Sequence, residues 1–284
     1  MVLPDFFVGG APKCGSTTLH ALLDQHPKIE MSDKKEITFF DRDDIWTHSN
    51  YALRHFQRWK SFSIDGEEEW ENYAERFSES DRLKAESTPT YIYSKKAAKR
   101  ASEYLNDAKA VFILRDPVER IYSLYWHNLG VGRTFHTFEK TLLNHPQNIE
   151  RSIYPPFIEN WQRELGEENI HIVLLEELID RPQETANSIF KFLGLDEQEI
   201  SLPEKNKGTY PRFPIFIMLF NLYSQFKGKD TSHRPLIESK IEFSFLEKVY
   251  RKLFMLNSLM ETDQKPEMDE EIRKKLESIF LSRE

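Results

Sequence analysis

Two glycines five residues apart bracket a lysine in Gly10-Ala-Pro-Lys13-Cys14-Gly15-Ser16-Thr17, and hydroxyls follow the second. A loop of this kind, entered from an extended run and left into a helical pattern, cradles phosphate oxygens with backbone N–H groups and a helix N-terminus. The glycine spacing matches the nucleotide-binding pattern G-x-x-x-x-G-K-[ST], but Ser16 takes the lysine position and Lys13 sits inside the loop. An ATPase or GTPase reading is weakened, and a solvated turn is the plain alternative. Further on, Asp116-Pro117-Val118-Glu119 reads as a helix start, with an N-cap, proline at the first helical position and glutamate three residues after the cap. Capping leaves Arg115 unexplained, because it ends an apolar run at the sheet edge where open α/β folds bind ligands. Ser123 returns to the same helix face two turns beyond the cap. Lys35-Glu36 offers a carboxylate able to take a proton as a general base, or simply a charge run entering a strand.

These residues need a scaffold, and β-rich runs alternate with helical patterns to supply it: 5–10 then 17–25, 109–114 then 117–128, 171–175 then 182–193. The alternation predicts an α/β fold, a P-loop-type doubly wound parallel sheet flanked by helices. Ala110 to Leu114 is apolar without a break, as a strand covered on both faces is. Residues about 42–83 read as a helical insertion, with patches at 51–59 and 68–77, and residues about 214–284 as a C-terminal helical region ending in a helix over 269–281. A single domain over 1–284 is the simplest organisation.

The stretch Pro12-Lys13-Cys14-Gly15-Ser16-Thr17-Thr18 resembles the 5′-phosphosulfate-binding loop of PAPS-dependent sulfotransferases, P-K-[SACT]-G-[ST]-T. The resemblance implies that Lys13, Cys14, Gly15, Ser16, Thr17 and Thr18 bind 3′-phosphoadenosine-5′-phosphosulfate (PAPS), with Lys13 beside the oxygen that bridges sulfur and phosphorus. Sulfuryl transfer breaks the S–O bond and builds charge on that oxygen, so a cation there stabilises the transition state. Val111 to Ser123 resembles the family's 3′-phosphate motif, R-[DN]-P with a serine eight residues after the arginine, implying that Arg115 and Ser123 grip that phosphate. A guanidinium fork suits the geometry.

Lys35-Glu36-Ile-Thr-Phe39-Phe40 resembles the K-E-x-x-F-F segment of the heparan-sulfate-type branch, implying Glu36 as catalytic base and Lys35 as a helper on the sulfate or the acceptor. Glu86-Ser87-Thr88-Pro89-Thr90-Tyr91 resembles that branch's E-[KS]-[TS]-P-x-Y segment, implying Glu86 and Ser87 as substrate-binding residues. Ser87 stands where many glycan-modifying members carry lysine; Lys95, Lys96, Lys99 and Arg100 could replace the lost charge. Asn206 to Arg212 resembles the late loop that closes over the adenosine and 3′-phosphate, implying Lys207, Gly208 and Arg212 as binders. The resemblance runs from about residue 5 to 212, and the branch includes soluble bacterial relatives.

Composition bounds the rest. With 39 basic against 47 acidic residues and a net charge of −8, nucleic acid and anionic membranes are not general partners. The single cysteine excludes an internal disulfide and favours a reducing compartment. The first residues lack a signal-peptide pattern, and the longest apolar run, Pro214 to Phe220, is too short to cross a bilayer, so a cytoplasmic protein is expected. The expected cofactor is PAPS, leaving as PAP, with no metal required. The expected acceptor is a glycan or small molecule, a carrier-bound acyl chain included. A P-loop kinase would need magnesium and the lysine missing at position 16, and a non-catalytic nucleotide-binding protein would keep both phosphate clamps without turnover. Neither accounts for Lys13, Glu36 and the Arg115–Ser123 spacing together.

Overall fold

A computed structural model describes residues 1–44, 47, 66–130, 133–202, 210, 213–226 and 265–281. The helical patch expected at 51–59 and the late-loop residues Lys207, Gly208 and Arg212 lie outside them. The chain divides into two compact units, Met1–Arg115 with Tyr154–Lys205, and Asp116–Ile153 with Asn206–Glu284.

The first unit is built on five parallel strands: β1 (Phe6–Gly9), β2 (Ile29–Met31), β3 (Leu83–Ser87), β4 (Lys109–Leu114) and β5 (Ile170–Leu174). Their order is β2-β3-β1-β4-β5. The chain leaves β1 toward β2 and β3 and then crosses to β4 on the other side, so the strand order reverses beside β1. Ligands of open α/β sheets sit at the carboxyl ends of the strands at such a switch point. Among the described residues the α-helices are, in chain order, α1 (Ser16–Leu23), α2 (Glu67–Ala74), α3 (Lys95–Tyr104), α4 (Pro117–Gly130), α5 (Phe138–Asn144) and α6 (Gln147–Glu150). They continue as α7 (Pro155–Leu165), α8 (Leu175–Asp180), α9 (Pro182–Phe192), α10 (Pro214–Phe226) and α11 (Glu270–Leu281).

The expected strands at 5–10, 109–114 and 171–175 are β1, β4 and β5, and the expected helices at 17–25, 117–128, 182–193 and 269–281 are α1, α4, α9 and α11. Two strands were not expected. β2 is three residues long, and β3 reads Leu-Lys-Ala-Glu-Ser, with Lys84 and Glu86 both buried. Hydrophobic periodicity cannot find a strand whose inward positions are ionisable. Lys84 is tolerated there because its Nζ donates to Ser80 O at 2.8 Å, Ser80 Oγ at 2.6 Å and Arg82 O at 2.7 Å.

Register explains one face of the core. Phe7 pairs with Ala110 and Gly9 with Phe112, which places all four on the same side of the sheet. Trp161 of α7 packs there, its ring 6.3 Å from Phe7 and 5.3 Å from Phe112, while its Nε1 donates to Tyr91 O at 3.1 Å. Leu19, Leu22 and Leu23 of α1 join Ile189 and Phe190 of α9 in the same buried cluster. In the second unit, α4 presents Val118, Ile121, Tyr122, Tyr125, Trp126 and Leu129 at helical spacing to Phe138, Ile217, Met268 and Leu276. The cap read from sequence is present, with Asp116 Oδ1 accepting from Glu119 N at 2.8 Å. The Glu119 carboxylate then accepts from Lys265 at 2.7 Å and Arg273 at 2.6 Å.

Candidate active site

The loop after β1 is shaped by its backbone. Ala11 N donates to Ile113 O at 2.8 Å, carrying the β1–β4 pairing one step further, and Cys14 N donates to Ala11 O at 3.1 Å, closing a turn. Lys13 has φ 72° and Gly15 φ 91°, both in the left-handed region. That conformation costs nothing at glycine but about 1–2 kcal/mol at a side-chain-bearing residue, so Lys13 is held there by its surroundings. A Cβ at Gly10 would lie 2.5 Å from Pro89 O, so only glycine lets the loop pass this close to another backbone. No side chain caps α1 at Gly15, which leaves its first-turn N–H groups for an anion. Ser16 is buried, Thr18 half-buried and Thr17 exposed. Cys14 is fully buried, its Sγ 3.7 Å from the Tyr154 hydroxyl, which donates to Arg115 O at 2.9 Å. The loop after β1 and the end of β4 are thereby joined.

A second loop, after β2, meets the first. Lys35 Nζ donates to Ser16 Oγ at 3.4 Å and also to Thr17 Oγ1. Burial pulls the Lys13 ammonium below its usual range; the Glu36 carboxylate opposes that shift and the Arg115 guanidinium adds to it. Lys35 shows the same pattern: burial lowers it, Glu36 resists, and Lys13 lowers it further. Three cations and one carboxylate therefore share a field at the carboxyl edge of the sheet. Lys35, expected as an aid to sulfate or acceptor, reaches the phosphate-loop hydroxyls. Glu36 is exposed, with φ 59°, and its N–H donates to Ser87 O at 2.8 Å.

Glu86 and Ser87, expected to bind substrate, have no exposed surface. Glu86 accepts from Tyr73 OH at 2.6 Å and Tyr91 OH at 2.9 Å on one oxygen, and from Thr88 Oγ1 at 3.0 Å on the other. Burial raises its pKa to about 7 against the pull of those hydroxyls, and the nearby Asp41 carboxylate pushes the same way. In this structure Glu86 is an internal hub, closed to direct contact with an acceptor. The Ser87 hydroxyl is paired with His20 Nδ1 at 3.0 Å. His20 is shifted down by burial, raised by Asp24 and lowered by Lys35. The His20–Ser87 contact joins residues 67 positions apart, and spacing carries no sign of it.

Three of the four charges expected of the helix at 95–100 are engaged elsewhere: Arg100 donates to both Asp43 oxygens, at 2.6 and 3.0 Å, Lys96 to Asp43 at 3.0 Å, and Lys99 pairs with Glu103 at 3.5 Å. Arg115 closes the first unit at the end of β4, and Ser123 lies half-buried on α4 of the second. Among the described residues no helix is long and apolar enough to cross a membrane.

Comparison with known proteins points one way. A family model described as the sulfotransferase family matches residues 4–199. The membrane-associated sulfotransferase kil1 of Dictyostelium discoideum is 35% identical over 125 residues, covering 44% of this chain and 23% of that protein. Bifunctional heparan sulfate N-deacetylase/N-sulfotransferase 1 of Caenorhabditis elegans is 26% identical, covering 98% of this chain and 28% of its own length. Thus the chain spans only about a quarter of each of these curated relatives. The crystal structure of a sulfotransferase from Alicyclobacillus acidocaldarius superposes with a TM-score of 0.59 at 21% identity, covering 81% of this chain and 98% of that one. At that identity the likeness speaks for the fold.

Proposed function

Because the chain belongs to the sulfotransferase family through residues 4–199, we propose that it moves a sulfuryl group from PAPS to a hydroxyl or amine of a glycan or small-molecule acceptor, releasing PAP. The observation that carries this reading is the shared field of Lys13, Lys35 and Arg115 beside the uncapped start of α1. Like charges brought together under partial burial are costly, and an anionic ligand offsets that cost. The donor set suits a phosphosulfate: backbone N–H groups and lysine ammonium groups donate and do not accept, and the Ser16 and Thr17 hydroxyls, which accept from Lys35, each have a proton to donate.

PAPS supplies the activated sulfuryl group. Lys13 neutralises the charge that gathers on the bridging oxygen as the S–O bond breaks. The acceptor oxygen or nitrogen forms the new bond to sulfur, and Glu36, exposed beside both lysines, takes its proton. Lys35, anchored on Ser16 and Thr17, stabilises the transferring oxygens. Arg115 holds the 3′-phosphate, with Ser123 assigned to the same phosphate by motif spacing, and Lys207, Gly208 and Arg212 by resemblance alone. The kinase alternative lacks the lysine at position 16.

Calorimetric titration with PAP, and with ADP and magnesium–ATP beside it, tests the reading. PAP binding that exceeds ADP binding and collapses in Arg115→Ala supports it. Equal affinity for PAP and ADP would overturn it.

A further inference from the structure

The loop that carries Glu36 has an unusual backbone: Glu36 and Thr38 stand at φ 59° and 55°, where side-chain-bearing residues rarely rest. Something must hold it, and the holders can be named. Thr38 N donates to Thr88 Oγ1 at 3.3 Å, while Phe39 N and Phe40 N both donate to the Tyr91 hydroxyl oxygen, at 3.0 and 3.1 Å. Each of these two acceptors is itself a donor to Glu86, Tyr91 OH at 2.9 Å and Thr88 Oγ1 at 3.0 Å.

Proton counting fixes the sense of this network. A hydroxyl has one proton and two lone pairs. Tyr91 accepts from two backbone N–H groups, which fills both lone pairs, and its proton must go to Glu86. Thr88 accepts from Thr38 and gives its proton to the other carboxylate oxygen. Tyr73 gives the third proton, and its ring stacks on Phe39 with centroids 4.2 Å apart. A carboxylate accepts from all three. A neutral acid protonated on the other oxygen would donate to Thr88 Oγ1, which keeps a lone pair beside the one that Thr38 N–H fills, so Thr88 would stop donating while Tyr73 and Tyr91 went on giving their protons to the first oxygen.

We propose that Glu86 is a positioning residue for the acceptor base: by taking the hydroxyl protons of Tyr91 and Thr88 it turns their oxygens toward the backbone N–H groups of residues 38–40 and fixes the left-handed loop that presents Glu36. The proposal rests on the reading of Glu36 as base for its catalytic consequence, though not for the geometry. Burial drives the Glu86 pKa to about 7, so the ionised form that accepts all three hydroxyl protons gives way on mild acidification to an acid that no longer turns Thr88. The groups facing it are Asp41 from the loop after β2, Tyr73 from α2, and Thr88 and Tyr91 from the segment after β3; Arg76 acts on Tyr73.

The test is amide hydrogen exchange at residues 38–40, run with turnover and PAP affinity on Glu86→Gln, Thr88→Val, Thr88→Ser and Tyr91→Phe. Glu86→Gln is expected to speed exchange at all three amides about tenfold, the size of one lost hydrogen bond, and to lower kcat similarly while PAP affinity stays within about twofold. Thr88→Val speeds exchange at Thr38, with protection restored by Thr88→Ser, and Tyr91→Phe speeds it at Phe39 and Phe40. Lowering the pH through about 7 weakens protection at Thr38 in the parent protein and leaves Glu86→Gln unchanged. Wild-type exchange and wild-type kcat in Glu86→Gln would overturn the proposal. So would a fall in kcat with these amides still protected. If instead Glu36→Gln keeps full turnover while Glu86→Gln exposes the amides, the base assignment fails and the positioning of the loop stands.

Discussion

Glu36 N donates to the carbonyl of Ser87 at 2.8 Å, so the residue proposed as base is tied to the last residue of β3, a strand of the sheet core. The bond continues the pairing direction set by Ser32 N on Ala85 O at 2.7 Å. An exposed side chain thus rides on a backbone position fixed by the sheet, which suits a group that must meet a mobile acceptor at a constant place.

Glu36→Gln keeps the side-chain shape and removes the proton acceptor. Turnover is expected to fall about 100- to 10,000-fold, the range for a general base, with PAP affinity within about twofold. Steady-state kinetics with calorimetry would check both halves.

Lys13→Ala removes the cation at the breaking bond and should lower kcat about 100- to 1,000-fold. Because burial depresses the Lys13 pKa, wild-type activity should decline on the alkaline side below the ordinary 10.5 of lysine as the ammonium deprotonates. Lys13→Arg, where any activity survives, should move that decline upward. A limb unmoved by the substitution would assign it to another group.

Glu86 carries a stability signature of opposite sense to its role in the loop. Its folded pKa, about 7, lies above the ordinary 4.5, so between those values the native state holds a proton that the unfolded chain has released. Unfolding free energy therefore falls as pH rises through this window, by up to about 3 kcal/mol, relative to Glu86→Gln. Urea titrations of both proteins at pH 5 and pH 8 would show the difference; parallel curves would count against it.

Gly10→Ala places a methyl group 2.5 Å from Pro89 O and 2.6 Å from Pro89 Cα, atoms of a backbone that cannot swing aside. A loss of about 1–3 kcal/mol in stability is expected, together with weaker PAP binding. The denaturation midpoint and a PAP titration would measure these.

Much of this was legible where the chemistry is local. The displaced lysine of the phosphate loop, the Asp116 cap and the apolar β4 each declare themselves within a few residues, and the structure has the cap and the strand where they were read. What escaped was long-range. β3 hides because Lys84 and Glu86 break the apolar pattern, and nothing in a pattern of residue types says that their neighbours Ser80, Arg82, Thr88 and Tyr91 turn inward to satisfy them. Glu86 was expected to bind the acceptor because residues 86–91 resemble a family segment at the acceptor cleft, and a resemblance carries no information on burial. Its three hydroxyl partners converge from two segments, Tyr73 from α2 and Thr88 with Tyr91 from the turn after β3.

The chain has one cysteine, Cys14, and it is fully enclosed at the very turn that carries Lys13. A thiol reagent can reach that sulfur only in the instants when the turn comes apart, so its labelling rate in native buffer counts those openings. The donor loop therefore holds its own clock, and slowed labelling would time the arrival of a nucleotide with no dye attached.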